Sequence, residues 1–315
     1  MAAKAPPLRF VPWPARFVLL AGIWGLSFLF IKVGLESFAP LQVAALRLAF
    51  GAATLLALVV VTGDRLPRGR RTWLHLFFAT LFMNVAPFTL FAYGEQRVSS
   101  LLAGIWNATT PLLAVPVVVL LLPNERFTAT RIAGLLVGFA GVLVVLGVWN
   151  GFGQHDVLGD LMCLAAAACY GVGFPYARRF LALSGDSPVS LAAAQVLVGT
   201  VEAGILAIIL TGPPQQVSAA SLLALIALGS LGTGIAYVLN WSILRDAGAT
   251  VATMVTYALP IVSVLAGVLL LGEVLTWNEP VGAAVIIVGA LLTQGQLRRI
   301  GRAIWQRRRA RTISA

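Results

Sequence analysis

Charged residues, histidine and cysteine are all scarce in this sequence. Only 10% of its 315 residues are charged, and it contains two histidines and two cysteines. His75 and His155 are far apart, and Cys163 and Cys169 fall on different faces of one predicted helix, so we expect no metal site, disulfide, cofactor or catalytic cluster. The low charge, together with 59% hydrophobic residues and a mean hydropathy of +0.93, excludes a soluble globular protein. The composition indicates an integral membrane protein that is not an enzyme.

The long apolar stretches are numerous enough for ten membrane-spanning helices of roughly 20 residues each, with no room left for a soluble domain. We therefore predict an all-α membrane protein. The ten candidate spans are centred near Trp24, Gly51, Met83, Pro111, Phe139, Cys169, Gly199, Gly229, Pro260 and Ile286.

The basic residues support this count. In a ten-span arrangement, nineteen of the 22 Lys and Arg residues fall on one side of the membrane, including a basic tail over residues 299–315. Lys32 and Arg97 fall on the other side, and Arg47 lies within a span. This bias predicts that both termini are cytoplasmic, in a bacterial inner (plasma) membrane. The net charge of +11 is then a topology signal, and we expect no nucleic-acid partner.

The chain repeats itself at offsets of 146 to 149 residues. Pro111 and Asn107 in the fourth span correspond to Pro260 and Thr256 in the ninth. We predict one five-helix repeat over residues 1–149 and a second over residues 158–298. Because five is odd, the second repeat enters the membrane from the opposite side, as in secondary transporters whose substrate site lies between inverted repeats.

Three features carry a family resemblance: the Trp24-Gly25 pair, the segments TPLLAVPVVVLLLPNER and ALPIVSVLAGVLLLGE, and the glycine-rich spans that follow them. With ten spans in two repeats, the chain resembles the EamA family of the drug/metabolite transporter superfamily. The resemblance implies a monomer or homodimer in the lipid bilayer that exports a small-molecule substrate, such as an amino acid, aromatic ones included, by alternating access. A lipid flippase or scramblase, and a sugar-phosphate or nucleotide-sugar exchanger, remain alternatives.

The prolines of the fourth and ninth spans point to a central site. A proline within a helix frees the carbonyl four residues earlier, so Pro111 and Pro260 are predicted to break their helices beside Asn107 and Thr256. Polar and aromatic residues there and in the third and eighth spans either line a cavity or join helices by hydrogen bonds. The predicted substrate-binding residues are Asn84, Phe88, Trp106, Asn107, Thr110, Thr233, Tyr237, Trp241, Thr256 and Tyr257.

Arg47 and Glu202 are the charged residues that the sequence places well inside spans. Because intramembrane charges are costly, we predict either a gating pair that faces the transport path or a structural ion pair. In the first case Arg47 would take the carboxylate and Glu202 the ammonium group of a zwitterion, with Glu202 also a candidate for proton coupling. The stripe Gly134, Gly138 and Gly141 is predicted to be a packing surface.

Glu125 and Glu273 stand at the predicted ends of the fourth and ninth spans. Both follow a long apolar run and adjoin a connection between spans. We expect both carboxylates to be solvated.

Overall fold

The computed structural model describes residues 11–121, 129–145, 149, 156–181, 184–214, 216–247 and 249–293, and the regular secondary structure of these residues is helical throughout. The first half begins with proline-initiated helices, because a fixed proline φ suits the first helical turn. Its helices are α1 (Trp13–Gly34), α2 (Pro40–Thr62), α3 (Arg70–Thr80), α4 (Ala86–Glu95), α5 (Ser100–Asn107), α6 (Thr110–Leu121) and α7 (Ala129–Val145).

The second half repeats this order after the connection that contains Asp156. Asp156 and Ser187 accept main-chain hydrogen bonds as N-caps of the first two helices of this half. Its helices are α8 (Val157–Phe180), α9 (Pro188–Leu210), α10 (Ala219–Gly229), α11 (Ala236–Ala247), α12 (Ala249–Leu271) and α13 (Asn278–Thr293).

The helical membrane architecture is confirmed for the part of the chain that the structure describes. Seven helical segments there are long and apolar enough to cross a membrane, and three shorter apolar helices accompany them. The shorter ones are Ile132–Val145, Ala258–Leu271 and Asn278–Gly289. The count of ten spans stays a prediction.

A π-helical segment interrupts one long helix in each half. Leu81–Val85 joins α3 to α4, and Ser230–Ile235 joins α10 to α11. The two segments begin 149 residues apart (230 − 81), which agrees with the repeat read from the sequence. A π turn inserts a residue into the helical register and so redirects the side chains that follow it. Each half thus contains one π-helical segment, and both segments lie next to the cavity described below.

The two prolines behave differently. Before Pro111, α5 ends at Asn107, and the amide of Thr109 bonds the Trp106 carbonyl at 3.0 Å, three residues back, so the predicted break is present. The predicted break at Pro260 is wrong, because α12 continues through it. One proline removes a single main-chain hydrogen bond, which a long helix tolerates with a bend. In the first half the Thr109 hydroxyl also binds the Trp106 carbonyl, at 2.7 Å, and stabilises the tighter turn.

Glycines allow α7 and α13 to cross at close range. A Cβ on Gly282 would lie 2.8 Å from the carbonyl oxygen of Gly141, and one on Gly141 would lie 3.0 Å from that of Gly282. Gly138 packs against Leu112, and the carbonyl of Gly134 faces Gly289. The glycine stripe is therefore a packing surface, as predicted.

Candidate substrate cavity

A cavity of about 60 Å³ lies between the two halves, roughly the room of a few water molecules. Helices α1, α2, α4, α5, α8, α11 and α12 each contribute to its wall. Among the described lining residues, seven are aromatic and Arg47 is the one that carries a charge. The lining residues are Trp24, Ser27, Phe28, Ile31, Arg47, Phe88, Phe91, Asn107, Tyr170, Phe174, Tyr237, Asn240, Thr256 and Leu259.

Aromatic rings form a continuous wall on one side of this cavity. The ring centroids of Phe28 and Phe91 are 5.4 Å apart in an edge-to-face arrangement, and Tyr170 lies 6.2 Å from Phe91. Phe174 continues the row at 5.7 Å from Tyr170. Such pairs stabilise one another beyond their buried area and hold the ring faces in fixed directions. The wall therefore offers a preformed surface for an apolar or aromatic group.

Two contacts hold the Arg47 side chain, and its terminal nitrogens remain available to a ligand. Its guanidinium carbon lies 3.7 Å from the centroid of the Phe88 ring, which is cation–π geometry. Its Nε donates to Thr233 Oγ1 at 3.0 Å, and no other nitrogen of this side chain has a hydrogen-bond partner among the described residues. The planar terminal nitrogens are thus available to bind a carboxylate with two parallel hydrogen bonds.

A chain of buried polar groups stands behind the cavity. Gln195 Nε2 donates to Asn84 Oδ1 at 2.7 Å, and Asn84 Nδ2 donates to the Tyr237 hydroxyl oxygen at 2.7 Å. The Tyr237 hydroxyl in turn donates to the carbonyl of Met83 at 3.4 Å. Asn84 is 0% exposed, and neither Asn84 nor Gln195 is among the residues that line the cavity. The two amides instead hold the ring of Tyr237, which does line it.

Of the ten residues predicted to bind substrate, four line the cavity: Phe88, Asn107, Tyr237 and Thr256.

Five of the others lie elsewhere. Asn84 and Thr233 hold cavity residues from behind. Trp106 is packed in the core, with its Nε1 donating to Asp160 Oδ1 at 2.6 Å. Thr110 donates to Asn107 Oδ1 at 3.3 Å, and Trp241 packs in a second core cluster. The side chain of Tyr257 is outside the described part of the chain.

Arg47 and Glu202 are not brought together. Arg47 binds Thr233, while both carboxylate oxygens of Glu202 lack a hydrogen-bond partner within the described residues. Glu202 is also absent from the side chains that line the cavity. The two residues sit at similar predicted depths but on helix faces that point to different neighbours, which depth alone could not reveal.

Glu273 is not simply solvated, and that expectation was wrong. Its Oε1 accepts the amide of Ser100 at 2.8 Å, and its Oε2 accepts the Ser100 hydroxyl at 3.0 Å and the amide of Leu101 at 3.1 Å. The carboxylate therefore caps the N-terminus of α5, where free amides and the helix dipole favour a negative charge. Glu125 lies outside the described residues.

Several cavity residues escaped the sequence reasoning. Trp24, Phe28 and Ile31 lie at helical spacings of four and three on α1, and Phe91 follows Phe88 by three on α4. That periodicity was the available signal, but aromatic stripes at helical spacing usually mark the core. Trp24 is further tied to the second half, since its Nε1 donates to the carbonyl of Gly232 at 3.1 Å.

The chain is similar to known membrane transporters. The model of the EamA-like transporter family matches the chain twice, over residues 13–147 and 157–294. YdfC of Bacillus subtilis (strain 168), named an uncharacterized transporter, is 27% identical over 87% of this chain and 88% of its own length. YedA of Escherichia coli (strain K12), named an uncharacterized inner membrane transporter, is 26% identical over 86% of each chain. A solved crystal structure that is 24% identical, with a TM-score of 0.66, covers 90% of this chain and 97% of its own.

Proposed function

Because this chain belongs to the EamA-like transporter family, we propose that it exports amino acids with apolar or aromatic side chains by alternating access. The observation that carries the substrate class is the Arg47 guanidinium in a cavity walled by aromatic rings. Membership of the family makes the chain a multi-pass membrane transporter and not an enzyme. The substrate is our inference from the chemistry of the wall.

Arg47 provides the site for a carboxylate. A buried guanidinium with open terminal nitrogens favours an anionic group, and a planar carboxylate matches its geometry. A phosphate monoester carries nearly two negative charges at neutral pH, but the described lining residues offer a single cation. This shortage disfavours the sugar-phosphate exchanger, and the phospholipid assay below tests the flippase.

The remaining wall suits the rest of an amino acid. Phe28, Phe91 and Tyr170 present ring faces and edges to an apolar side chain. Asn107 and Asn240 add amide oxygens that can accept hydrogen bonds from an ammonium group, and ring faces attract a cation as well. Glu202 is not needed for the ammonium group in this arrangement.

The proposed topology has ten spans in two inverted repeats, residues 1–149 and 158–298, with a basic tail over 299–315 and both termini in the cytoplasm. The nineteen-to-two distribution of basic residues supports it. In this orientation the end of α1 at Lys32 faces outward. Reporters fused after Gly153 and after Ala315 test the assignment. A cytoplasmic signal from the Gly153 fusion would contradict it.

Substrate exchange tests the proposed function. Liposomes that contain the purified protein and unlabelled L-phenylalanine should accumulate radiolabelled L-phenylalanine by counterflow, and excess unlabelled leucine should compete. Glucose 6-phosphate should not compete, and a fluorescent phospholipid should not be scrambled. Transport of either phosphate compound without amino-acid exchange would replace this proposal with the corresponding alternative.

A further inference from the structure

The carboxyl group of Glu95 is buried without a hydrogen-bond partner. Glu95 is the last residue of α4 and is 0% exposed, and neither of its carboxyl oxygens has a hydrogen-bond partner in the described part of the chain. An ionised carboxylate in such surroundings is strongly disfavoured, and proteins avoid the cost by pairing or neutralising the group. The mechanism proposed for the cavity does not use this residue.

Two charged neighbours at the same end of the molecule are satisfied by other groups. The Lys32 ammonium donates to the main-chain carbonyls of Glu95, at 2.6 Å, and Val98, at 3.0 Å, and caps the end of α4. Glu273 accepts three hydrogen bonds at the start of α5. Glu95 is thus the carboxylate here that the folded arrangement leaves without partners.

Glu95 lies directly beyond the cavity on its outer side. It follows the cavity residue Phe91 by four positions on α4, so it occupies the same helix face about 6 Å further out. Lys32 follows Phe28 by four on α1 in the same way. The edge-to-face pair of Phe28 and Phe91 thus lies on the cavity side of Lys32 and Glu95 along α1 and α4.

The outer end is closed in this structure. The Ser221 hydroxyl of α10 donates to the Val33 carbonyl of α1 at 2.8 Å, and Glu273 after α12 binds Ser100 of α5. Lys32 joins α1 to the turn between α4 and α5. An alternating-access cycle must separate these contacts to release substrate, and separation would bring water to Glu95.

We propose that Glu95 is a proton-binding site of the outer gate, protonated while this end is closed and deprotonated when it opens. This inference rests on the proposed function and its orientation. On opening, the carboxyl O–H bond breaks, the proton passes to the outer solvent, and the carboxylate is left solvated beside the Lys32 ammonium. The titratable and charged groups that face Glu95 from neighbouring elements are Lys32 of α1, Arg47 of α2, Cys163 of α8 and Glu273 after α12.

The sign of the pH dependence follows from this linkage. The closed state binds one more proton than the open state, so acid favours closure and rising pH favours opening. A single site changes the equilibrium by at most about tenfold per pH unit. Exchange limited by outer opening should therefore accelerate as pH rises, and a neutral isostere should abolish that acceleration.

Exchange at equal internal and external pH tests this directly. Liposomes with wild-type protein should exchange L-phenylalanine at least about fivefold faster at pH 8 than at pH 5.5. Glu95→Gln should exchange slowly at both pH values, because its neutral side chain keeps the gate closed, and the exposed Glu36→Gln should follow the wild type. A flat wild-type profile, or a Glu95→Gln profile parallel to that of the wild type, would overturn the proposal.

A second measurement needs no substrate. Cys163 is buried, and Gly94, which precedes Glu95, packs against its thiol, so water that reaches Glu95 also approaches this thiol. In a Cys169→Ser background, the rate of Cys163 modification by methyl methanethiosulfonate is compared between wild type and Glu95→Gln at one pH, so that the general dependence of thiol reactivity on pH cancels.

The wild-type rate should match that of Glu95→Gln at pH 5.5 and exceed it at least fivefold at pH 8. Loss of the carboxylate's own field would favour the thiolate in the variant and shift the ratio in the opposite direction. Equal rates at both pH values would overturn the gate proposal. Failure of the wild type to exchange any amino acid would instead overturn the proposed function, while the thiol rates still decide the role of Glu95.

Discussion

Each half of the molecule contributes one side chain that forms a hydrogen bond with the other half at an equivalent position, but the two side chains differ in charge. In the first half Arg47 reaches across to Thr233, and in the second Gln195 reaches across to Asn84. Arg47 and Gln195 are 148 positions apart (195 − 47), and Asn84 and Thr233 are 149 apart (233 − 84). The repeat therefore reproduces a polar contact between the halves twice, once with a cation and once with a neutral amide.

This difference distinguishes a contact that stabilises the packing of the two halves from one that is available to a substrate. The amide pair is fully buried and its members satisfy each other and Tyr237, so it contributes to assembly of the halves. The guanidinium satisfies one of its nitrogens on Thr233 and presents the others to the cavity. The repeated frame thus keeps a polar contact in both halves, and in the proposed function only the first half supplies the charge that selects the substrate.

Arg47→Gln would make the two halves alike and should have the largest effect. It removes charge-assisted hydrogen bonds to the substrate carboxylate, worth about 2–3 kcal/mol, so kcat/KM for L-phenylalanine should fall roughly 30- to 150-fold. The measurement is initial uptake into liposomes at matched protein content. Thermal stability should change little, because glutamine already occupies the equivalent position in the second half.

Arg47→Lys is the matched control for that change. It keeps the charge but lacks the planar fork and the stacking on Phe88, so it should recover only part of the activity. An Arg47→Gln protein with wild-type uptake would remove Arg47 from the binding site.

Asn84→Leu would break the amide contact and should act on stability before transport. It leaves the Gln195 amide with only a 3.8 Å contact to the Met83 sulfur and the Tyr237 hydroxyl with only its 3.4 Å bond to the Met83 carbonyl, at a cost of about 1–3 kcal/mol in all. The melting temperature in detergent should fall by several degrees, and the surviving protein should still bind L-phenylalanine through Arg47.

Thr233→Val provides the contrast, since it removes the Arg47 partner and leaves the amide pair intact. It should weaken uptake more than it lowers the melting temperature. A reversal of this order between the two variants would mean that the amide pair, and not the guanidinium pair, contacts the substrate.

Hydrophobic periodicity and the repeat predicted the helical membrane architecture, and the position of Arg47 followed from its charge within an apolar stretch. These features depend on local composition, which a sequence carries directly. The proline break at Pro111 was predicted correctly, but the same reasoning failed at Pro260, so the proline alone does not decide whether its helix ends. Asn107 and Thr256 could likewise be placed near the cavity from the neighbouring prolines, and Phe88 and Tyr237 from the polar and aromatic residues of the third and eighth spans.

What the sequence could not reveal depends on which helix faces meet. Trp106 differs from Trp24 only in its surroundings, yet it is buried against Asp160 while Trp24 lines the cavity. Glu95 and Asp160 stand near helix ends, where charges usually reach water, but contacts between distant helices bury both. Such burial is a tertiary property, and no spacing within one helix predicts it.

Gly51 and Gly199 occupy equivalent positions in the two halves, and replacing each by alanine tests whether the two contacts between the halves differ in function. A Cβ on Gly51 would lie 2.9 Å from Cβ of Thr233, the partner of Arg47, whereas one on Gly199 would lie 2.7 Å from Cγ2 of Thr80. Each alanine substitution should cost about 1–3 kcal/mol through overpacking. Gly51→Ala should also reduce uptake severalfold because it displaces Thr233, while Gly199→Ala should spare uptake. Equal losses of uptake would show that the two packing sites are coupled.

Substitution of Asp156, the N-cap of the first helix of the second half, should have the smallest effect on stability. The main-chain amide of Gly159, followed by the Arg97 side chain of the first half, holds the pKa of this exposed carboxyl below its usual value of 3.8. A depressed pKa means that the ionised form stabilises the fold above the pKa of the unfolded chain and that this stabilisation disappears as pH falls through the folded-state value. Asp156→Asn keeps a capping oxygen but loses the charge, so its melting temperature should lie about 1–2 °C below that of the wild type at pH 7, and the difference should shrink as pH falls below 3.8. Arg97→Gln should reproduce part of the difference, because Arg97 contributes a hydrogen bond and a charge while the contact with the Gly159 amide stays, and 0.5 M salt should diminish only the Arg97 part. A difference that stays constant as pH falls below 3.8 would assign it to the geometry of the cap, and the charge contact between the halves would then contribute nothing to stability.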